Sequence, residues 1–192
     1  MNFSQYLKPI SISLSPNTEK DDVRLALKLL FQPWRWKRES IEIGSLSAKL
    51  EEEFKKYLGV KYAISFNSGR SALMAILNSL GLEKDDEVLL QAFTCNAAVN
   101  PIIWSGLKPV FIDVDEKTFN IDIKDLKRTL RQAQGKKPKV LMVQHTFGLP
   151  ADMDEVLEIC RRHGSTGSPQ DNLILIEDCA HSLGAKHKGR LV

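Results

Sequence analysis

The chain has 192 residues, 43% of them hydrophobic, and its 27 Lys and Arg against 24 Asp and Glu leave a formal charge of +3. That mild, evenly spread balance argues against nucleic acid as the main partner, and no apolar run approaches the roughly 20 residues that a membrane helix needs. Met1 to Ser15 lacks the charged-then-apolar order of a signal peptide, so a cytoplasmic protein is expected; Cys95, Cys160 and Cys179, without CxxC spacing, argue against a disulfide framework or a structural zinc site.

In chain order, Thr18 is placed to cap a helix whose Val23, Ala26, Leu27 and Leu30 face a core and which stops before Pro33. Trp34-Arg35-Trp36-Lys37-Arg38 interleaves basic and aromatic residues, a pattern that suits a solvated or subunit-facing edge better than a nucleic-acid or membrane surface. Ser47 begins a second helix with Leu50, Phe54, Tyr57 and Leu58 in a stripe, closed by Gly59. Residues 1–43 therefore read as an N-terminal helical arm.

From Lys61 onward strands alternate with helices. The strand candidates are residues 62–66, 87–91, 109–113, 140–145 and 173–177, mostly continuous apolar runs as expected for strands buried on both faces. The intervening helices are expected over 70–80, 96–104, 123–133 and 153–163. Asp122 and Asp152 fall at N-caps, with Asp125 and Glu155 as capping-box partners, and Gly81 and Gly164 end their helices. The polar stretch from Gly164 to Asn172 reads as a mobile loop. The fold class is α/β: a mainly parallel wound sheet with helices on both faces.

In such sheets ligands sit beyond the carboxyl ends of the strands. Residues 67–71, 92–95, 145–148 and 178–181 all lie at such ends. The turn Asn67-Ser68-Gly69-Arg70-Ser71 joins a strand to a helix start, where free N–H groups and the helix dipole favour an anion. Many Gly-Ser turns only change the chain's direction, and that reading stands beside the functional one. Asp178 ends an apolar run, so its carboxylate emerges between apolar walls, either to cap a following helix or to face a ligand. A phosphate cradle and a carboxylate that keeps a ring nitrogen protonated are the two parts that pyridoxal phosphate requires. His181, three residues on, falls near the ring's hydroxyl edge, or is a satisfied imidazole at a helix start. A nucleotide-binding doubly wound domain would carry a Gly-x-Gly-x-x-Gly turn after its first strand, and this chain has none.

Ordered blocks carry a resemblance: Leu50-Glu51 to Gly59-Val60, Asn67-Ser68-Gly69-Arg70-Ser71-Ala72-Leu73, Asp86-Glu87-Val88 leading to Ala92-Phe93-Thr94, and Ser105-Gly106-Leu107-Lys108-Pro109 onward to Asp115. His145-Thr146-Phe147-Gly148-Leu149-Pro150-Ala151-Asp152-Met153 and Ile176-Glu177-Asp178-Cys179-Ala180-His181 complete the set. From about Gly44 to its end the chain resembles the front half of the DegT/DnrJ/EryC1/StrS family, the fold type I pyridoxal-phosphate sugar aminotransferases. Residues 44–192 then correspond to an incomplete cofactor-binding large domain.

The resemblance implies that Gly69 and Arg70 give backbone N–H groups to the phosphate of pyridoxal 5'-phosphate, with Ser71 close by. It implies that Asp178 pairs with the pyridine nitrogen and that His181 stands where many members have Gln. Arg70 replaces a common Thr. Cys95 replaces an aromatic residue that stacks on the ring, and offers less area. His145 and Asp152 are expected to be structural, as a bonded imidazole and a helix cap.

The family's Schiff-base lysine comes beyond a Gly-Arg-x-x-Gly stretch whose beginning is Gly189-Arg190-Leu191-Val192, so no catalytic residue is assigned in this chain. Lys186 and Lys188 fall too early for that position. The implied activity is amino-group transfer to a nucleotide-linked keto sugar, with glutamate or glutamine as donor and a homodimer as the working form. The alternatives are a dehydratase of the same family and a non-catalytic fragment.

Overall fold

The computed structural model describes residues 20–31, 45–132, 138–164 and 173–192. The chain divides into two compact units, Met1–Ala63 and Ile64–Val192. The expected cap Thr18, the segment Trp34 to Arg38 and nearly all of the polar loop after Gly164 lie outside the described residues.

The first unit contains α1 (Lys20–Leu30) and α2 (Ser45–Leu58). Asp21 and Asp22 in the first turn of α1 and Lys28 in its last complement the helix dipole. Val23, Ala26, Leu27 and Leu30 do not enter a core as the sequence suggests; all four are exposed, Leu30 at 63%. The reason is plain: every buried hydrophobic residue among the described ones belongs to the second unit. Helix α2 begins two residues before Ser47. It closes as expected, with Gly59 at a φ of 67° and the Val60 N–H bonded to the Lys55 carbonyl at 3.2 Å.

Residues 62–66 form no strand. A run rich in aromatic and β-branched residues becomes a strand only with a ladder partner. The run belongs to neither sheet, and Ile64 is left 75% exposed.

The second unit runs α3 (Gly69–Ser79), β1 (Glu87–Gln91), α4 (Asn96–Trp104), β2 (Lys108–Ile112), α5 (Ile123–Gln132), β3 (Val140–Gln144), α6 (Met153–Gly164) and β4 (Ile174–Asp178). A short antiparallel hairpin of β5 (Lys186–His187) and β6 (Arg190–Leu191) follows. Strands β1 to β4 form one parallel sheet in the order β2-β1-β3-β4. Alternate residues feed two cores. Leu89, Leu141 and Val143 pack with Leu126, Val156 and Ile159 of α5 and α6, while Val88, Leu90, Val140 and Met142 pack with Leu77, Ala98 and Ile102 of α3 and α4. This is the wound sheet with helices on both faces that the sequence leads one to expect.

The outer strand β2 carries Pro109. Its neighbour Lys108 turns its N–H inward to the Asp86 carbonyl at 2.9 Å, so the missing N–H of Pro109 falls on the open side. The capping boxes form only by half. Asp122 Oδ1 accepts the Lys124 and Asp125 N–H groups at 2.6 and 3.3 Å, but Asp125 does not reach back; its carboxylate takes the Asp113 N–H at 2.8 Å and pairs with Arg128. Asp152 likewise accepts the Glu155 N–H at 3.3 Å, whereas Glu155 pairs with Lys127.

Candidate functional site

Strand β1 has β2 on one side and β3 on the other, so the winding of the chain reverses between them and leaves a crevice at their carboxyl ends. A cavity of about 760 Å³ lies there, and all four segments named from the sequence contribute to its wall. Gly69, Arg70, Cys95, Asp178 and His181 line it; Ser71 does not.

The cradle begins at Ser68, whose extended backbone (φ −162°, ψ 155°) and side chain cap α3 by accepting the Ser71 N–H at 3.2 Å. The Ser71 hydroxyl turns back to Asn67 Oδ1 at 2.5 Å and lies 2.6 Å from the Ser68 hydroxyl. It braces the turn. The Gly69 and Arg70 N–H groups have no partner among the described residues. Leu77 anchors the helix in the core, while Ile76 faces the cavity.

Cys95 is the N-cap of α4, its sulfur 3.5 Å from the Ala97 N–H, and it is exposed to the cavity. Beside it, Thr94 Oγ1 is buried without a hydrogen-bond partner among the described residues. Asp178 is half-buried at the end of β4. Its Oδ2 accepts the Gln144 amide at 2.7 Å and its Oδ1 the Ala180 N–H at 3.0 Å. No helix follows it, so it braces a turn rather than capping a helix. Gln144 escaped the sequence reading. Its register with Asp178 across β3 and β4 is legible only once the strand order is known.

His145 is buried to 1% exposure and bonded at both nitrogens: Nδ1 accepts the Ala151 N–H at 3.1 Å and Nε2 lies 3.2 Å from Glu177. Burial disfavours a charge on this ring, whereas hydrogen bonds with the Cys179 thiol and the Glu177 carboxylate favour one; taken alone, these influences would push its pKa up to about 9. Against that charge stands the Ala151 N–H, since a proton on Nδ1 would set donor against donor. The Nε2–H tautomer satisfies both partners without moving the ring. This is a structural histidine.

The turn Thr146–Gly148 is fixed through Thr146, whose N–H donates to Asn120 Oδ1 at 2.8 Å and whose hydroxyl accepts the Gln91 amide at 2.8 Å. Within it Phe147 has a φ of 54°, a conformation that costs a bulky residue on the order of 1 kcal/mol. Phe147 was not singled out by the sequence, because nothing local marks a left-handed aromatic residue. Among the described residues no lysine lines the cavity; Lys186 and Lys188 are exposed, and Lys188 pairs with Asp154.

A parallel wound sheet with an open helix N-terminus and a carboxylate at its switch point has the form of a ligand-binding domain, and comparison with known proteins makes the class specific. Residues 34–192 match the model of the DegT/DnrJ/EryC1/StrS aminotransferase family, and the chain belongs to it. It is 35% identical over 148 residues to the GDP-perosamine synthase of Caulobacter vibrioides, covering 77% of this chain and 37% of that protein. The structure is similar to that of an aminotransferase from Psychrobacter cryohalolentis, with a TM-score of 0.74, 29% identity, and coverage of 94% of this chain and 42% of the other. It is also similar to a GDP-4-keto-6-deoxymannose-3-dehydratase solved with a trapped PLP-glutamate geminal diamine, with a TM-score of 0.67, 29% identity, and coverage of 78% and 37%. The chain thus spans well under half the length of these relatives.

The residues present fit pyridoxal phosphate. A Cβ added at Gly69 meets nothing within 4 Å and its φ is not positive, so neither packing nor backbone geometry requires glycine there. A bare backbone at a helix start is open to close approach by an anion. Asp178 offers a carboxylate oriented by Gln144 at the cavity wall.

Proposed function

We propose that this chain carries the cofactor-binding part of a pyridoxal-phosphate aminotransferase that acts on a nucleotide-linked keto sugar, with glutamate or glutamine as amino donor. Residues 44–192 belong to the large domain of such an enzyme, which works as a homodimer in the cytoplasm. The observation that carries this reading is the convergence of the Gly69 cradle and the Asp178 carboxylate on one cavity at the switch point of the sheet.

Each residue has a task. The Gly69 and Arg70 N–H groups, with the α3 dipole behind them, receive the phosphate, and Ser71 keeps the turn in shape through Asn67 and Ser68. Asp178, held by Gln144 and the Ala180 N–H, accepts a hydrogen bond from a protonated ring nitrogen. His181 faces the ring's hydroxyl edge. Cys95 packs against the ring with its polarizable sulfur and less area than an aromatic side chain. When bound, the cofactor supplies an electron sink for amino-group transfer.

A dehydratase of the same family is a second reading, favoured by the likeness to GDP-4-keto-6-deoxymannose-3-dehydratase. Both readings share the binding site and part at the group that moves the proton. Titration of pyridoxal phosphate into the 192-residue chain, followed by the cofactor's absorption, tests the shared claim. The wild type shifts the spectrum, and Asp178→Asn weakens binding roughly tenfold, about 1.4 kcal/mol. An unchanged spectrum with wild type refutes the cofactor site, and an unaffected Asp178→Asn reduces Asp178 to a turn brace.

A further inference from the structure

Phe147 is the strained residue of the cavity wall. Its φ of 54° places a bulky side chain in the left-handed region, and the residue is 71% exposed, so burial does not account for the conformation. The chain is clamped on both sides of it. Thr146 bonds Asn120, Phe119 and Gln91, and His145 before it is held at both ring nitrogens. Such strain persists where the surroundings over-determine it, and then points to a use.

That use lies on the other side of the ring. The Phe147 ring is parallel to the His181 imidazole, with centroids 6.2 Å apart and 2° between the planes. Phe93 and Phe119 meet it at steep angles, 62° and 74°, with centroids at 6.0 and 6.4 Å. The next residue, Gly148, has a φ of 82° and lies so near His181 that a Cβ would meet the His181 carbonyl at 3.3 Å. Two consecutive left-handed residues therefore face the ring and the backbone of one histidine.

We propose that Phe147 is a positioning residue that fixes the plane of the His181 imidazole, braced in turn by Phe93 and Phe119. His181 is thereby presented in one orientation to a planar, hydroxylated heteroaromatic ring in the cavity. This deepens the reading of the cavity as a pyridoxal-phosphate site and rests on it for the identity of that ring. A stacked, edge-braced ring restricts its neighbour without adding a polar group, which suits a histidine that has to keep both nitrogens free.

Two measurements on the 192-residue chain test this. In the apo protein, the His181 side-chain resonances shift in Phe147→Leu, because the neighbouring ring is lost, and return toward the wild-type position in Phe147→Tyr. With pyridoxal phosphate, Phe147→Leu and His181→Ala each weaken binding about tenfold, the double variant is no weaker than His181→Ala, and Phe147→Tyr recovers most of the loss. Unmoved His181 resonances, or effects of the two substitutions that simply multiply, overturn the proposal. If wild type binds no cofactor while the His181 resonances respond to Phe147→Leu, the cofactor reading fails and the positioning of His181 stands.

Discussion

Gly69 is where folding and binding make opposite demands. Its backbone lies in an ordinary region and a methyl group there touches nothing. Gly69→Ala is therefore expected to raise the unfolding free energy by about 0.4–1 kcal/mol, through loss of freedom in the unfolded chain. The same methyl intrudes on the anion cradle, so affinity for pyridoxal phosphate is expected to fall about tenfold. Urea unfolding and a cofactor titration on one variant read both effects; unchanged affinity would leave the turn with no role beyond changing direction. His145 makes a different test at this scale. A doubly protonated ring would contribute stability that is full below about pH 6.5 and declines as pH rises through about 9. The Ala151 N–H at Nδ1 favours the neutral Nε2–H ring, so the stability difference between wild type and His145→Ala is expected to stay flat over that interval. A decline across it would show an imidazolium.

Among the elements, α5 shows how far local signals reach. Asp122 at its N-cap was legible because Ser, Thr, Asp and Asn before an apolar periodic run satisfy free N–H groups wherever they occur. The partner of Asp125 was not, since it binds the Asp113 N–H at the end of β2, a contact set by the sheet and not by spacing along the helix. Asp125→Ala is expected to cost about 1–2 kcal/mol, as much as Asp122→Ala or more, because it leaves that N–H without its acceptor. Equal stability of Asp125→Ala and wild type in chemical denaturation would contradict this. Residues 62–66 teach the converse lesson. Their composition suits a strand, but a strand is a property of a pair, and the sequence of one run carries no information on its partner.

For the molecule as a whole, the wound sheet was legible because its inner strands β1 and β3 are buried on both faces and so are written as unbroken apolar runs. The convergence of 92–95, 145–148 and 178–181 followed from topology, since parallel strands place all their carboxyl ends at one edge, whereas 67–71 follows no strand and is brought there by the packing of α3 on the sheet. Strand order and side-chain contacts across it did not follow. Gln144 beside Asp178, and Phe147 stacked on His181, depend on which strands are neighbours and on one left-handed residue. The exposed apolar face of α1 was misjudged for the same reason, because periodicity shows that a face exists and not what covers it. The most direct test of where the cofactor binds follows backbone amide resonances of the 192-residue chain as pyridoxal phosphate is added. Gly69, Arg70, Cys95 and residues 178–181 are expected to shift together and saturate, while α6 and the β5–β6 hairpin stay fixed. Shifts confined to surfaces away from the cavity, or none at all, would contradict a cofactor site there.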